Sequence, residues 1–332
     1  MASLLIHDLV VEAASGLGVR VEHLGELAFT LRLTYPGGRT KILFKQHFPV
    51  DRACVADAAR VKAWMMHFLR AGGLCVPEGD FFFEDAWAAR RGIPKNTQAA
   101  SECAERLGYP VVIKPSCQSL GTGVHLVPSA AYFADRVREV VAIDPMFLIQ
   151  RLALGTEYRV VVLDEEVRLA YKKAPFRIHG DGERTCGELI AARFAEVAAA
   201  GRQVAVRPDD SRFDSFLASQ GLDRLSVLSE GQACQVGLTA GYNAGGELSE
   251  GWDTLGTRLR AVACAAVRLC GLRFGGLDMV VANAADPERS PYVILDVNPS
   301  PIMDGYARTG PEAQARVANL VRDLLVAMRP EG

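Results

Sequence analysis

Apolar residues recur along this chain with two periods, and the two interleave. "LIHDLVVEAASGLG" repeats at helical spacing and stops at Gly16 and Gly18. "VRVEHL" and "FTLRLTYPGGRTKILFK" read as strands, the second a hairpin turning at Pro36, Gly37 and Gly38. Residues 55–74 place Trp64, Met65, Phe68 and Leu69 on one face and predict a single amphipathic helix ending at Gly72 and Gly73. A loop opens at Pro77 and Glu78, and a helix capped by Asn96 or Thr97 follows. The buried strand "PVVIKPS" runs through the glycine loop "QSLGTGVHLV" into another strand and a helix capped by Ser129. "MFLIQRLALGTEYRVVVLDEEVRLAYKKAP" reads as strand, connector, strand, tight turn, strand, and helices follow in "TCGELIAARFAEVAAAG" and "DDSRFDSFLASQGL". "GWDTLGTRLRAVACAAVRLCGL" is a long apolar helix, and "PEAQARVANLVRDLLVAMR" closes the chain as an amphipathic one. Strands among helices, with a hairpin near the end, predict an α/β chain built as α+β lobes, not one parallel sheet.

That late hairpin carries the sharpest chemical signal. "FGGLDMVVA" and "YVILDVNPS" flank a polar turn containing Asp286, Pro287 and Ser290. A register centred on Pro287 sets Asp278 opposite Asp296, and Asn298 points to the same face two residues on. Two carboxylates and an amide oxygen on apolar strands suit a hard cation such as Mg²⁺; the alternative is a pair of strand-end acids in water.

Composition narrows the field. The chain has 332 residues, enough for two or three lobes, with 49% hydrophobic and 23% charged residues. A net charge of −2 gives no sign of a nucleic-acid or anionic-membrane partner. No apolar run is long enough to span a bilayer, and the opening "SLLIHDLVV" is short and acidic, unlike a secretion signal. The eight cysteines lack CxxC spacing and read as reduced core residues of a cytoplasmic protein, with no zinc spacing to the six histidines.

Other residues fit a phosphate-handling site more weakly. Lys114 ends "VVIKP" just before the glycine loop, as a phosphate ligand or a strand-end cation in solvent. Glu157 could accept hydrogen bonds from ribose hydroxyls or be a surface acid. Lys172, Lys173, Arg177 and Arg184 surround "GDG", in a mobile basic loop over phosphates or a solvated hairpin.

Taken in order, "HFLRAGGLCVPEG", "LGYPVVIKPSCQSLGTGV", "LIQRLALGTEYRVVVL", "KAPFRIHGDGERTCGELI", "YNAGGE", "GLRFGGLDMVV" and "VILDVNPSP" resemble the ATP-grasp superfamily. Within it they resemble the ATP-grasp portion of cyanophycin synthetase and glutathione-type ligases. The resemblance implies an ATP-grasp fold behind a small N-terminal α/β domain. The expected divisions are an N-terminal substrate domain at 1–57, a lobe with the glycine loop at 58–149, and a lobe with the metal site at 150–332. It implies a stand-alone ligase that joins an amino acid or small peptide to an amine through an acyl phosphate, giving ADP and phosphate. A small-molecule kinase and a non-catalytic nucleotide binder are the alternatives.

The implied cofactors are ATP with two Mg²⁺ ions, Mn²⁺ being the substitute. Lys62 and Lys114 would hold phosphates under a lid containing Ser119, Gly121, Thr122 and Gly123. Gln150, Arg151 and Leu152 would face adenine, Glu157 the ribose, and Lys173 the γ-phosphate. Asp278, Asp296 and Asn298 would bind the metal. Two departures stand out: Asp296 replaces the usual Glu, and no arginine precedes Asn243, so Arg159, Arg177 or Arg273 would take that arginine's place. Small-molecule substrates, no nucleic acid, no membrane and a homodimer complete the expectation.

Overall fold

Strand pairing in the computed structural model, which describes residues 5–25, 29–119, 121–199, 202, 206–238, 242 and 245–329, follows the hydrophobic alternation closely. Helix α1 (Leu5–Ser15) precedes β1 (Arg20–His23), β2 (Thr30–Thr34) and β3 (Thr40–Phe44), which pair antiparallel in the order β1–β2–β3. The β2–β3 hairpin turns where Gly37 and Gly38 take positive φ.

The segment predicted as one helix is two, α2 (Ala53–Arg60) and α3 (Lys62–Ala71). Val61 between them is extended, at φ −86° and ψ 99°. The cause lies across the chain. Ser116 accepts the Lys62 N–H on its carbonyl at 2.9 Å and the Ala63 N–H on its hydroxyl at 3.3 Å, so the first amides of α3 are satisfied from outside. Lys62 thereby starts a helix beside the glycine loop.

The next lobe holds β4 (Gly79–Phe83), α4 (Asp85–Arg91), α5 (Thr97–Leu107), β5 (Val111–Pro115), β6 (His125–Val127), α6 (Phe133–Val141) and β7 (Met146–Arg151). Its strands pair in the order β4–β7–β5–β6, over a core that includes Phe82, Leu107, Ile113, Val137 and Phe147. Strand β4 and helix α4 lie where a loop was expected; Glu84 caps α4 by accepting from Ala86 N–H and Trp87 N–H. Asn96 caps α5 as expected, whereas Ser129 makes no side-chain cap and a 3₁₀ turn leads into α6.

The rest comprises β8 (Thr156–Leu163), β9 (Glu166–Ala174), β10 (Arg177–His179), α7 (Cys186–Ala199), α8 (Ser211–Ala218), β11 (Ala233–Gln235), β12 (Glu247–Glu250), α9 (Thr257–Leu269), β13 (Phe274–Val281), β14 (Tyr292–Asn298), α10 (Asp304–Ala307) and α11 (Pro311–Ala327). A five-stranded sheet runs β12–β9–β8–β13–β14. One face, with Tyr158, Val160, Leu277 and Met279, packs on α9 and α3. On the other face Val161, Leu163, Leu169 and Phe274 share a core with α1, the β1–β3 sheet, α10 and α11. The N-terminal elements therefore bury their apolar faces against the end of the chain. Strands β10 and β11 with α7 and α8 form an accessory unit around Phe176, Phe194 and Phe213.

All eight cysteines are free, but Cys54, Cys75 and Cys117 are exposed, which corrects the reading of them as core residues. Among the described residues no helix is long and apolar enough to cross a membrane.

Candidate functional site

The register of the five-stranded sheet assembles the site. Glu250 pairs with Tyr171, Tyr171 with Arg159, Arg159 with Asp278, and Asp278 with Asp296, one row across five strands. The neighbouring row joins Leu248, Lys173, Glu157 and Val280. Because side chains alternate, both rows lie on the face opposite Tyr158 and Val160. The pairing of Asp278 with Asp296 and of Gly276 with Asn298 is the one expected from the sequence. Toward the turn a β-bulge between Asp278 and Met279 shifts the register by one residue.

Asp278 does not face Asp296 unshielded. Arg159 grips both its oxygens, Nε to Oδ1 at 2.6 Å and Nη2 to Oδ2 at 2.7 Å, and Lys173 Nζ donates to Oδ1 at 3.2 Å. Lys173 also pairs with Glu157. The side chains of Arg159, Glu157, Lys173 and Asp278 are only 11–15% exposed, so solvent screens these pairs weakly. Burial pushes the Asp278 carboxyl up, but Arg159 and then Lys173 overcome it and hold it at about 2. Burial pulls Lys173 down, and Asp278 and Glu157 more than restore it, so its proton is held tightly.

The other lobe brings two more cations. Lys62 Nζ lies 3.4 Å from Asp296 and donates to the Gln118 carbonyl at 2.6 Å. Lys114, 7% exposed, donates to the Leu295 carbonyl at 3.2 Å, tying β5 to β14. Burial pulls its ammonium down to about 8. Four cations thus surround three carboxylates at the junction of two sheets, an arrangement with room in its charge balance for a polyanion.

The glycine loop leaves β5 under several restraints. Its Cys117 N–H donates to Asp144 at 2.8 Å, and Thr122 N–H bonds back to the Ser119 carbonyl. Gly123 sits at φ +67°, and a Cβ there would lie 2.7 Å from Pro115, so both backbone and packing require glycine. Leu120, within this loop, lies outside the described residues. At the connector, Gln150 is buried in β7, Arg151 pairs with exposed Glu78 at 2.9 Å, and Leu152 follows directly.

Some expected residues lie elsewhere. Arg273 precedes β13 and pairs with Asp164 at 2.7 Å, five residues along the chain from Asp278 and at the far end of the strand. Arg177 is exposed at the start of β10. The basic run is not one cationic loop: Lys173 lies half-buried in β9 and paired with Glu157, Arg184 pairs with Asp181, and Thr185 with Glu188 forms a capping box opening α7. Asn243 lies outside the described residues.

One cation escaped the sequence reading. Arg202 stacks on the Tyr242 ring at 3.7 Å and donates to the Tyr242 and Gly246 carbonyls at 2.6 and 2.8 Å. It thus stands on the segment where the resemblance expected an arginine, supplied from 40 residues upstream, and no local spacing reveals it.

The donor chemistry of Asp278, Asp296 and Asn298 fits a hard cation. Among the described residues no group of three or more His, Cys, Asp and Glu is arranged to hold a metal ion, so a metal here depends on the two acids and the Asn298 amide.

Comparison with known proteins gives a consistent picture. Residues 68–180 match the family model described as D-ala D-ala ligase C-terminus. The chain is 26% identical over 231 residues to the glutathione biosynthesis bifunctional protein of Enterococcus faecalis, covering 66% of this chain and 30% of that protein. It is 26% identical over 309 residues to cyanophycin synthetase of Trichormus variabilis, covering 85% of this chain and 30% of that protein. The chain therefore spans about a third of the length of these relatives. The crystal structure of a bifunctional glutathione synthetase from Pasteurella multocida superposes over 97% of this chain and 44% of that one, with a TM-score of 0.53 and 18% identity, and shares the fold.

Proposed function

We propose, on the premise that this chain has the ATP-grasp fold of the ligases it resembles, that it is an ATP-dependent carboxylate–amine ligase. The observation that carries the reading is the partly buried cluster of Lys62, Lys114, Arg159 and Lys173 around Glu157, Asp278 and Asp296 where two sheets meet. Amino acids or short peptides are the proposed substrates, as the names of its relatives suggest for them. Their class of reaction proceeds in two displacements. A substrate carboxylate oxygen attacks the γ-phosphorus, and the bond to ADP breaks. An amine nitrogen then attacks the acyl carbon, phosphate leaves with the bonding pair, and the nitrogen loses a proton.

This chemistry needs charge stabilisation and orientation rather than a protein nucleophile. In our assignment Lys62 and Lys114 bind the phosphates, and the loop of Ser119, Gly121, Thr122 and Gly123 covers them. The connector of Gln150, Arg151 and Leu152 takes adenine, Glu157 the ribose hydroxyls, and Lys173 the transferring phosphoryl group. Asp278, Asp296 and Asn298 would hold two Mg²⁺ ions, which supply neutralisation of phosphate charge. Arg159 uses Nε and Nη2 on Asp278, which leaves Nη1 to donate to oxygen charge developing on the substrate. The N-terminal unit, which packs on the five-stranded sheet, and the accessory unit, which reaches the glycine loop, are the proposed sources of substrate selection; a cytoplasmic setting and a homodimer belong to the same proposal.

The test is ADP release with Mg-ATP over a panel of amino acids, singly and in pairs, with products weighed by mass spectrometry. Pair-dependent release with a product one water lighter than the two substrates supports ligation. Release with stable phosphate addition to one substrate would replace ligation by kinase chemistry.

A further inference from the structure

We propose that Arg212 is a positioning residue for the glycine loop, reaching to it from the accessory unit. This rests on the phosphate-binding reading of that loop. Arg212 is the second residue of α8, and Asp210 caps that helix by accepting the Arg212 N–H at 3.0 Å. The same carboxylate receives Arg212 Nε and Nη2, each at 2.8 Å, so the guanidinium plane is fixed by a two-point fork. The remaining nitrogen, Nη1, donates to the Gly121 carbonyl at 2.6 Å.

Among the described residues this is the sole side-chain hydrogen bond reaching Ser119–Gly123 from outside the loop. The base of the loop has other holds, Asp144 on Cys117 and Lys62 on Gln118; the tip has Arg212. The anchor behind Arg212 is firm. Phe213, Phe216 and Leu217 of α8 are buried, and the Phe213 ring lies 5.8 Å from Phe176 and 5.9 Å from Phe194. Phe213 and Phe216 also line a groove with Val124 and Leu126, just past the loop, and with Gly237 and Leu238, which lead toward Tyr242.

The loop tip is therefore held by a helix that belongs to a separate aromatic core and also packs on β6, the edge strand of the sheet that carries Lys114. A shift of α8 on β6 would carry the Gly121 carbonyl with it through Arg212. Arg212 gives the two sides of the site a common mechanical link without touching substrate.

The experiment compares the full chain with its Arg212→Ala and Arg212→Lys variants. Amide hydrogen exchange in the nucleotide-free protein reads the loop directly, and Mg-ATP titration reads its effect on binding. Arg212→Ala is expected to accelerate exchange across residues 118–124 and to weaken Mg-ATP about tenfold, the scale of one hydrogen bond to a charged group. Arg212→Lys, which keeps one donor, is expected to restore part of both. Unchanged exchange in Arg212→Ala overturns the contact, and faster exchange with unchanged Mg-ATP affinity overturns the positioning role. If Arg212→Ala unfolds, Arg212→Lys and Asp210→Asn carry the comparison under the same criteria. Wild-type protein that binds no Mg-ATP would refute the nucleotide reading, while the exchange data would still decide the contact.

Discussion

Replacing Arg159 by Met keeps the volume and the apolar stem of the side chain but removes the fork that holds Asp278. The carboxylate would stay buried with Lys173 as its remaining cation, 3.2 Å away. Leaving a buried charge short of its partner costs about 3–5 kcal/mol, and that is the expected loss of stability at pH 7. The pH dependence separates this cause from lost packing. In the native protein the Asp278 carboxyl falls from its ordinary 3.8 to about 2, worth about 2 kcal/mol. Because the folded value is depressed, that contribution is complete above the ordinary value and is lost as pH falls through about 2. In Arg159→Met burial has less opposition, so the carboxyl rises and takes up a proton at milder pH. The stability difference between the two proteins should therefore shrink as pH falls from 7 to 4. Urea unfolding across that range, in chelator so that metal does not contribute, gives the numbers. A difference below about 1 kcal/mol at pH 7, or one equal at both pH values, would refute the reasoning.

Three further outcomes are expected. Lys114, pulled down to about 8 by burial, should gain a proton when it meets phosphate; Mg-ATP affinity should then fall between pH 7 and 9, with a binding enthalpy that varies with the buffer, and a flat profile would remove Lys114 from the phosphates. Asp296→Ala should abolish turnover while leaving thermal unfolding little changed, and Asp296→Glu should be tolerated; full activity in the alanine variant would end its assignment as a metal ligand. A Cβ at Gly276 would lie 2.5 Å from Pro301 Cβ and 3.3 Å from Arg159 Cδ, so Gly276→Ala should cost about 1–3 kcal/mol in unfolding and disturb Arg159; a neutral result would mean that the Pro301 segment yields.

The late hairpin was legible because its register follows from the position of its turn, and the acids fall where summed indices put them. The bulge after Asp278 was not legible, since nothing local distinguishes a shift of one residue. The break at Val61 was hidden for a different reason: the amides of α3 are satisfied by Ser116, more than fifty residues on. Residue type announced the cations but not their partners. Lys173 looked like part of a basic loop, yet the β8–β9 register sets it between Glu157 and Asp278. Arg273 looked as available as Arg159, and only strand position separates them: one pairs inside the row, the other with Asp164 near the sheet's end. Arg202 and Arg212 act on loops they meet only in the folded chain. Tertiary pairing of this kind leaves no periodic trace in a sequence.

The measurement that bears most directly on the central claim is product mass from paired substrates with Mg-ATP. The account predicts ADP release that requires both a carboxylate and an amine, with a product lighter than their sum by one water. Release that needs a single substrate and leaves it phosphorylated would contradict it.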